Sequence, residues 1–212
     1  MSNVIRAYHF VPANHGLDDL RNQRLKIACL DELNDPFELW AIAQPDKELR
    51  NGLRRYKTQL ARETGALCFS LSWLNPLMWS LYAARHHGLA LGFDVNAGCV
   101  KEMRYLSARP SFGRVDEDLA QTLLYTKYVD WQYEQEVRVY MKLNDKDPAS
   151  GLYFAEFGNN LALREIIVGP LSSIKQSDLK TALGELWKHV QVTKARLAFN
   201  SFRMVKDQRG CP

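Results

Sequence analysis

Residues 68–95 read CFSLSWLNPLMWSLYAARHHGLALGFDV, and the order of patterns inside this stretch sets the class of fold. Residues 66–71 (ALCFSL) form a compact apolar run of strand length. Asn75-Pro76 then marks a helix entry, because an Asn oxygen accepts from first-turn amides and proline's fixed φ suits the first helical position. A helix is expected over 77–85 and, after Gly88, a strand over 89–95. Together they make a strand-helix-strand unit.

Upstream, Val4 to Val11 (VIRAYHFV) is rich in β-branched and aromatic residues and stops at Pro12, as a strand would. A two-turn helix carrying Leu17 and Leu20 is expected from His15-Gly16, then a strand over 25–29 (LKIAC). Asn34-Asp35-Pro36 is a loop, since proline holds its predecessor extended and Asn and Asp favour turns. From Asp46, the spacing of Leu49, Leu53, Tyr56 and Leu60 puts an apolar stripe on one helix face and Arg50, Arg54, Lys57 and Arg62 on the other, with Gly65 as its end. Downstream, the patterns predict a strand over 100–106, a helix over 116–128 with Leu119 and Leu123 facing inward, and a loop over 130–133. An alternating strand follows at 136–141 (EVRVYM). Residues 165–168 read as a strand, Gly169-Pro170 as a turn, 176–189 as a helix, and 191–197 and 202–205 as strands. Strands broken by isolated helices without strict alternation indicate α+β rather than a doubly wound parallel sheet. The 212 residues, 46% hydrophobic, suit one domain over 1–212.

The net charge of +4 is too small to announce a nucleic-acid binder by itself. No apolar run reaches the roughly 18–20 residues of a membrane span, and the opening MSNVIRAYHFVPANHG lacks a secretory pattern, so a cytoplasmic protein is expected. Cys29, Cys68, Cys99 and Cys211 show neither disulfide nor zinc spacing, and Cys29 and Cys68 read as small apolar residues. His86-His87 point about 100° apart on a helix and have no third ligand at suitable spacing, so no metal is expected.

The chemistry is sought in Glu134 and Glu136. Residues two apart on a strand share a face, so a strand starting before Glu134 would set the carboxylates side by side. Such a pair resists double ionisation and suits stabilisation of an oxocarbenium-like transition state at a sugar carbon. The plain alternative is a solvated polar row that Arg138 continues. His9 on its strand is either a packing residue or a ligand, with Arg6, Tyr8 and Phe10 on the opposite face. Asn34 to Glu38 could shape a loop over a ligand or be a tight turn only. Asp94 could hold a base or a metal, or be a plain strand-end polar residue. Trp73, Trp79, Tyr82, Trp131 and Tyr133 are split between stacking and core. Lys194, Arg196, Arg203, Lys206 and Arg209 are either a phosphate strip or a solvated face.

Three strings, LNDPFE at 33–38, the 68–95 stretch, and DWQYEQEVRVY at 130–140, resemble the bacterial family catalogued as domain of unknown function 2971, over roughly residues 5 to 205. More remotely, the order Tyr8-His9, Ser70, Tyr82 and Glu136 is similar to ADP-ribosyltransferases of the His-Tyr-Glu type. YHFVPAN and PLMWSLYA also resemble their DNA-modifying toxin members. That resemblance implies split mixed and antiparallel sheets flanked by helices, with NAD as substrate. It implies that His9 bonds the adenosine-side ribose, and that Tyr82, or Trp79 three positions earlier, stacks on nicotinamide. Ser70 (in Ser70-Leu71-Ser72, where that group has Ser-Thr-Ser) and Asn34 would help hold NAD. Glu136 would be the catalytic carboxylate and Glu134 the acceptor-orienting one. It further implies a toxin or phage-defence effector, an acceptor that is nucleic acid ahead of protein, and an antitoxin as partner. The rival reading is a nucleic-acid-binding or regulatory module without catalysis.

Overall fold

β1 (Val4–Val11) is succeeded by α1 (Ala13–Asn22), β2 (Arg24–Cys29), α2 (Lys47–Glu63), β3 (Thr64–Ser70), α3 (Pro76–Tyr82) and β4 (Leu89–Asn96). Then come β5 (Lys101–Glu102), β6 (Arg104–Leu106), α4 (Glu117–Tyr125), β7 (Thr126–Tyr128), a 3-10 helix (Val129–Glu134), β8 (Glu136–Lys142) and β9 (Tyr153–Glu156). The chain ends with β10 (Leu161–Val168), α5 (Gln176–Leu183), a second 3-10 helix (Gly184–His189), β11 (Gln191–Leu197) and β12 (Met204–Lys206). This computed structural model describes residues 3–44, 46–111 and 117–210, and of 117–120 the backbone alone. Asp116, the Leu119 side chain and Cys211 lie outside the described residues. The class is α+β, as the patterns imply.

The chain divides into two units of interleaved sequence, one of residues 1–25, 69–100 and 155–212, the other of 26–68 and 101–154. In the first, strands run in the order β12-β11-β10-β4-β1. β10 and β11 are parallel, and β4 is antiparallel to both β1 and β10. Leu91, Phe93, Ile166 and Ala7 fill the interior. Tyr8 pairs with Ser70 of β3 on one side and with Gly92 of β4 on the other. In the second unit, Ala28 pairs with Ala66, β5 with β8, and β6 runs parallel to β7. Leu30, Leu39, Ile42, Leu53, Ala66 and Leu123 form its apolar cluster.

Several departures from the sequence reading have local causes. α1 begins directly after Pro12, two residues before His15. α2 is capped by Asp46, whose carboxylate accepts from the Leu49 amide at 2.7 Å. Its stripe is narrower than expected, because Tyr56 is exposed. Gly65 belongs to β3, not to the helix end. A side chain there would meet Ile27 and the Ala28 carbonyl of the neighbouring strand. α3 stops at Tyr82, three residues early, because Ala84, Arg85 and His86 adopt left-handed φ of 46°, 53° and 72°. That turn brings Gly88 against the Val11 carbonyl, where a Cβ would lie 2.2 Å from the oxygen. The expected strand 100–106 is two short strands with different partners, and residues 126–128 are β7, not the end of α4. The expected helix 176–189 changes to 3-10 at Gly184, whose φ of 54° breaks the α-helical run. β9 is an additional strand, and residues 202–203 belong to the β11–β12 turn rather than to β12.

Candidate functional site

Glu134 ends a 3-10 helix, and Gln135 takes a left-handed φ of 45° before β8 begins at Glu136. The expected strand through Glu134 is therefore corrected, because the chain turns sharply between the two glutamates. They nonetheless converge. The Lys127 ammonium donates to Glu134 Oε2 at 2.6 Å and reaches Glu136 Oε2 at 2.9 Å. Arg138, two residues along β8 and so on the same face as Glu136, donates Nε to Glu136 Oε1 at 2.7 Å and Nη2 to Oε2 at 3.1 Å. Its Nη1 and Nη2 grip Glu38 at 2.7 and 2.9 Å, and Nη1 also donates to the Tyr140 hydroxyl. All five guanidinium N–H donors are thereby used.

This is a buried network, not the solvated row that Glu-x-Glu-x-Arg suggests. The side chains of Arg138 and Glu38 are each 1% exposed, Lys127 3% and Glu136 7%. Burial alone would raise the Glu136 carboxyl, but Arg138 and Lys127 hold it below the usual carboxylate range. Burial would likewise lower Lys127, yet Glu136 and Glu134 keep it above the ordinary lysine value. The Glu136 amide donates to the Tyr105 hydroxyl at 2.8 Å, and its carbonyl accepts from Met103. Burial pushes the Tyr105 phenol up to about 12. The Cys68 thiol, expected as apolar filler, lies beside Glu136, and burial together with that carboxylate drives its pKa upward.

Glu38 arrives through a turn. Pro36 follows Asp35, whose carboxylate accepts from the Phe37 amide at 2.8 Å, while the Asp35 carbonyl accepts from Glu38 N. Phe37, Ala41, Leu106, Arg109, Lys127 and Tyr128 help line a cleft of about 320 Å³. Arg109 sits over the Phe37 ring at 4.6 Å, and Lys127 over Trp131 at 5.0 Å. Lys127 thus joins the carboxylate network to the cleft, a role the sequence reading missed, as it missed Tyr105 and the pairing of Glu38 with Arg138. The one available signal was a lysine set between tyrosines in the apolar run LLYTKYV.

Of the other expected site residues, Asn34 shares this unit and is exposed. His9, Ser70, Trp79 and Tyr82 belong to the other unit. His9 packs edge-on against Phe69 with centroids 6.0 Å apart. Because Tyr8 pairs with Ser70, side-chain alternation puts His9 and Ser70 on opposite faces of their strands. Ser70 is buried, its hydroxyl donating to the Ser72 carbonyl and accepting from the Ser72 amide. Trp79 is fully buried, its indole N–H donating to the Trp73 carbonyl at 2.7 Å and its ring meeting Phe10. Tyr82 is half-buried at the end of α3. Arg6, as expected, lies on the Tyr8 face, where Asp94 and Glu165 take its guanidinium.

Among the described residues, no three or more His, Cys, Asp or Glu side chains are grouped to hold a metal ion, and no helix is long and apolar enough to cross a membrane. Comparison with protein-family models, curated proteins and solved structures finds no match.

Proposed function

We propose that this chain is an NAD-dependent ADP-ribosyltransferase. It would act in the cytoplasm as a toxin or phage-defence effector on a macromolecular acceptor, nucleic acid ahead of protein, with an antitoxin as its natural partner. The α+β fold would be of the ADP-ribosyltransferase type. The observation that carries the reading is Glu136, a desolvated carboxylate that Arg138 and Lys127 hold ionised. A fixed anion of low proton affinity suits stabilisation of a ribosyl cation and is unsuited to general-acid work. The neighbouring cleft, with Phe37 and Tyr128 beside Arg109 and Lys127, offers aromatic and cationic groups for a dinucleotide. The resemblance to domain of unknown function 2971 and to the His-Tyr-Glu enzymes supports the same reading.

A second reading follows from the burial of Glu136. The ion network is then architectural, and the chain is a nucleic-acid-binding or regulatory module without catalysis. Glu136→Gln separates the two. The purified variant is first checked for a cooperative thermal transition, and ADP-ribose adducts on DNA, RNA and protein are then sought by mass spectrometry after brief expression. Adducts from the wild type that vanish in a folded Glu136→Gln support transfer. Adducts undiminished in that variant refute the role of Glu136, and none from the wild type favours the second reading.

A further inference from the structure

The turn between β11 and β12 leaves two aromatic rings in water. Phe199 is 88% exposed and Phe202 99%. Exposed apolar side chains are ordinary singly, but two large rings on one turn mark a contact surface. Arg196 pairs with Val205, Leu197 pairs with Met204, and the Ala198 amide donates to the Arg203 carbonyl. Alternation from that register turns Met204 and Ala195 to the interior, where both are buried, and sets Arg196 and Arg203 together on the other face. The Arg196 guanidinium lies over the Phe199 ring, 4.4 Å from its centroid. From Gln191 to Lys206 the sequence QVTKARLAFNSFRMVK holds four cations and no carboxylate. Asp207 at the base of the hairpin is held by Arg209.

We propose that this hairpin binds single-stranded nucleic acid, with Phe199 and Phe202 stacking on bases and Arg196 and Arg203 meeting phosphates. It deepens the acceptor reading above and rests on it. Charge selects a polyanion, and the rings select one with accessible base faces, which a closed duplex lacks. An anionic bilayer fits less well. Asn200 and Ser201, between the two phenylalanines at the apex, and the Arg196 guanidinium stacked on Phe199 would have to enter the membrane with the rings, and each is costly to strip of water.

The test is fluorescence anisotropy of the full chain, without NAD, on a labelled 12-nucleotide single strand of DNA or RNA and on the same sequence as duplex. The single strand is expected to bind more tightly, and Phe199→Ala and Phe202→Ala each to weaken it about tenfold. Arg196→Gln with Arg203→Gln should lower the slope of log affinity against log salt by about 1.4. Phe199, Phe202 and Arg203 are exposed and Arg196 is half-buried, and a melting temperature equal to wild type confirms that each variant is folded. Wild-type affinity in the phenylalanine variants, equal binding of duplex, or binding of phosphatidylserine vesicles in place of the oligonucleotide overturns the proposal. No oligonucleotide binding by the wild type, with NAD-dependent adducts found on protein, refutes the hairpin proposal and the nucleic-acid acceptor but not the transfer. Intact hairpin binding with no adducts refutes only the transfer.

Discussion

Arg138 grips Glu136 through two parallel hydrogen bonds from two positions further along the same strand, Nε to Oε1 at 2.7 Å and Nη2 to Oε2 at 3.1 Å. The same guanidinium closes a second fork on Glu38, one hundred residues away in sequence. A planar donor with five fixed N–H groups can do this, and a lysine cannot. The turn at 35–38 and strand β8 are thus tied by charge in a place water does not reach.

Arg138→Met is therefore expected to lower the free energy of unfolding by about 3–5 kcal/mol, since it leaves Glu38 and Glu136 buried with too little countercharge. Urea denaturation measures it. A loss under about 1 kcal/mol, the scale of a surface ion pair, would show that the network is solvated in solution.

The pH dependence of Glu136 has a definite sign. Its folded pKa is depressed by Arg138 and Lys127 against the opposing effect of burial. Its contribution is present above the unfolded value of about 4.3 and disappears as pH falls through the lower folded value. The stability gap between wild type and Glu136→Gln should hold steady from pH 7 to 5 and narrow below about pH 4. Thermal melts across that range check it, and a gap that widens on acidification contradicts the assignment.

Asp19 behaves oppositely. It lies buried in α1, where burial and then the adjacent Asp18 raise its carboxyl to about 7, against the pull of Arg24. The folded state binds this proton more tightly than the unfolded chain, so stability is lost as pH rises between about 4 and the folded value. Asp19→Asn should flatten the stability profile in that window and gain on the order of 2–4 kcal/mol at pH 8. Denaturation midpoints of both proteins at pH 5 and pH 8 decide it; equal shifts at the two pH values would contradict the raised pKa.

Trp79 is a test of packing against stacking. Its ring has no exposed surface, and Trp79→Ala should cost about 3–5 kcal/mol from the cavity and the lost indole bond. Trp79→Phe should keep most of that stability. If NAD raises the melting temperature of the wild type, the same rise in Trp79→Phe would place the stacking role elsewhere.

The sequence patterns located nearly every long element, because strands such as VIRAYHFV and LALGFDV and the capped start at Asp46 follow from local sterics and hydrogen bonding. They failed where a backbone angle, not a side-chain pattern, decided the outcome. The left-handed residues Ala84 to His86 end α3, and left-handed Gln135 turns Glu134 off β8. The two glutamates were legible as a pair, but their setting was not. Arg138 looks solvent-facing in EVRVYM because a charged residue ordinarily is, and only the distant Glu38 makes its burial tolerable. Lys127 was invisible for the same reason, its partners being supplied by the turn at Gln135.

The interleaving of the two units has a consequence for synthesis. Residues 26–68 and 101–154 are complete when the ribosome has passed residue 154, whereas the other unit waits for its third segment. β4 can pair with β1 early, but its other edge faces β10, and 64 residues lie between Asn96 and Leu161. At ordinary translation speeds of about 5–20 residues per second, that apolar edge stands open for roughly 3–13 seconds. During this interval, LALGFDV is open to chaperone binding, and slow codons between 97 and 160 would lengthen its exposure.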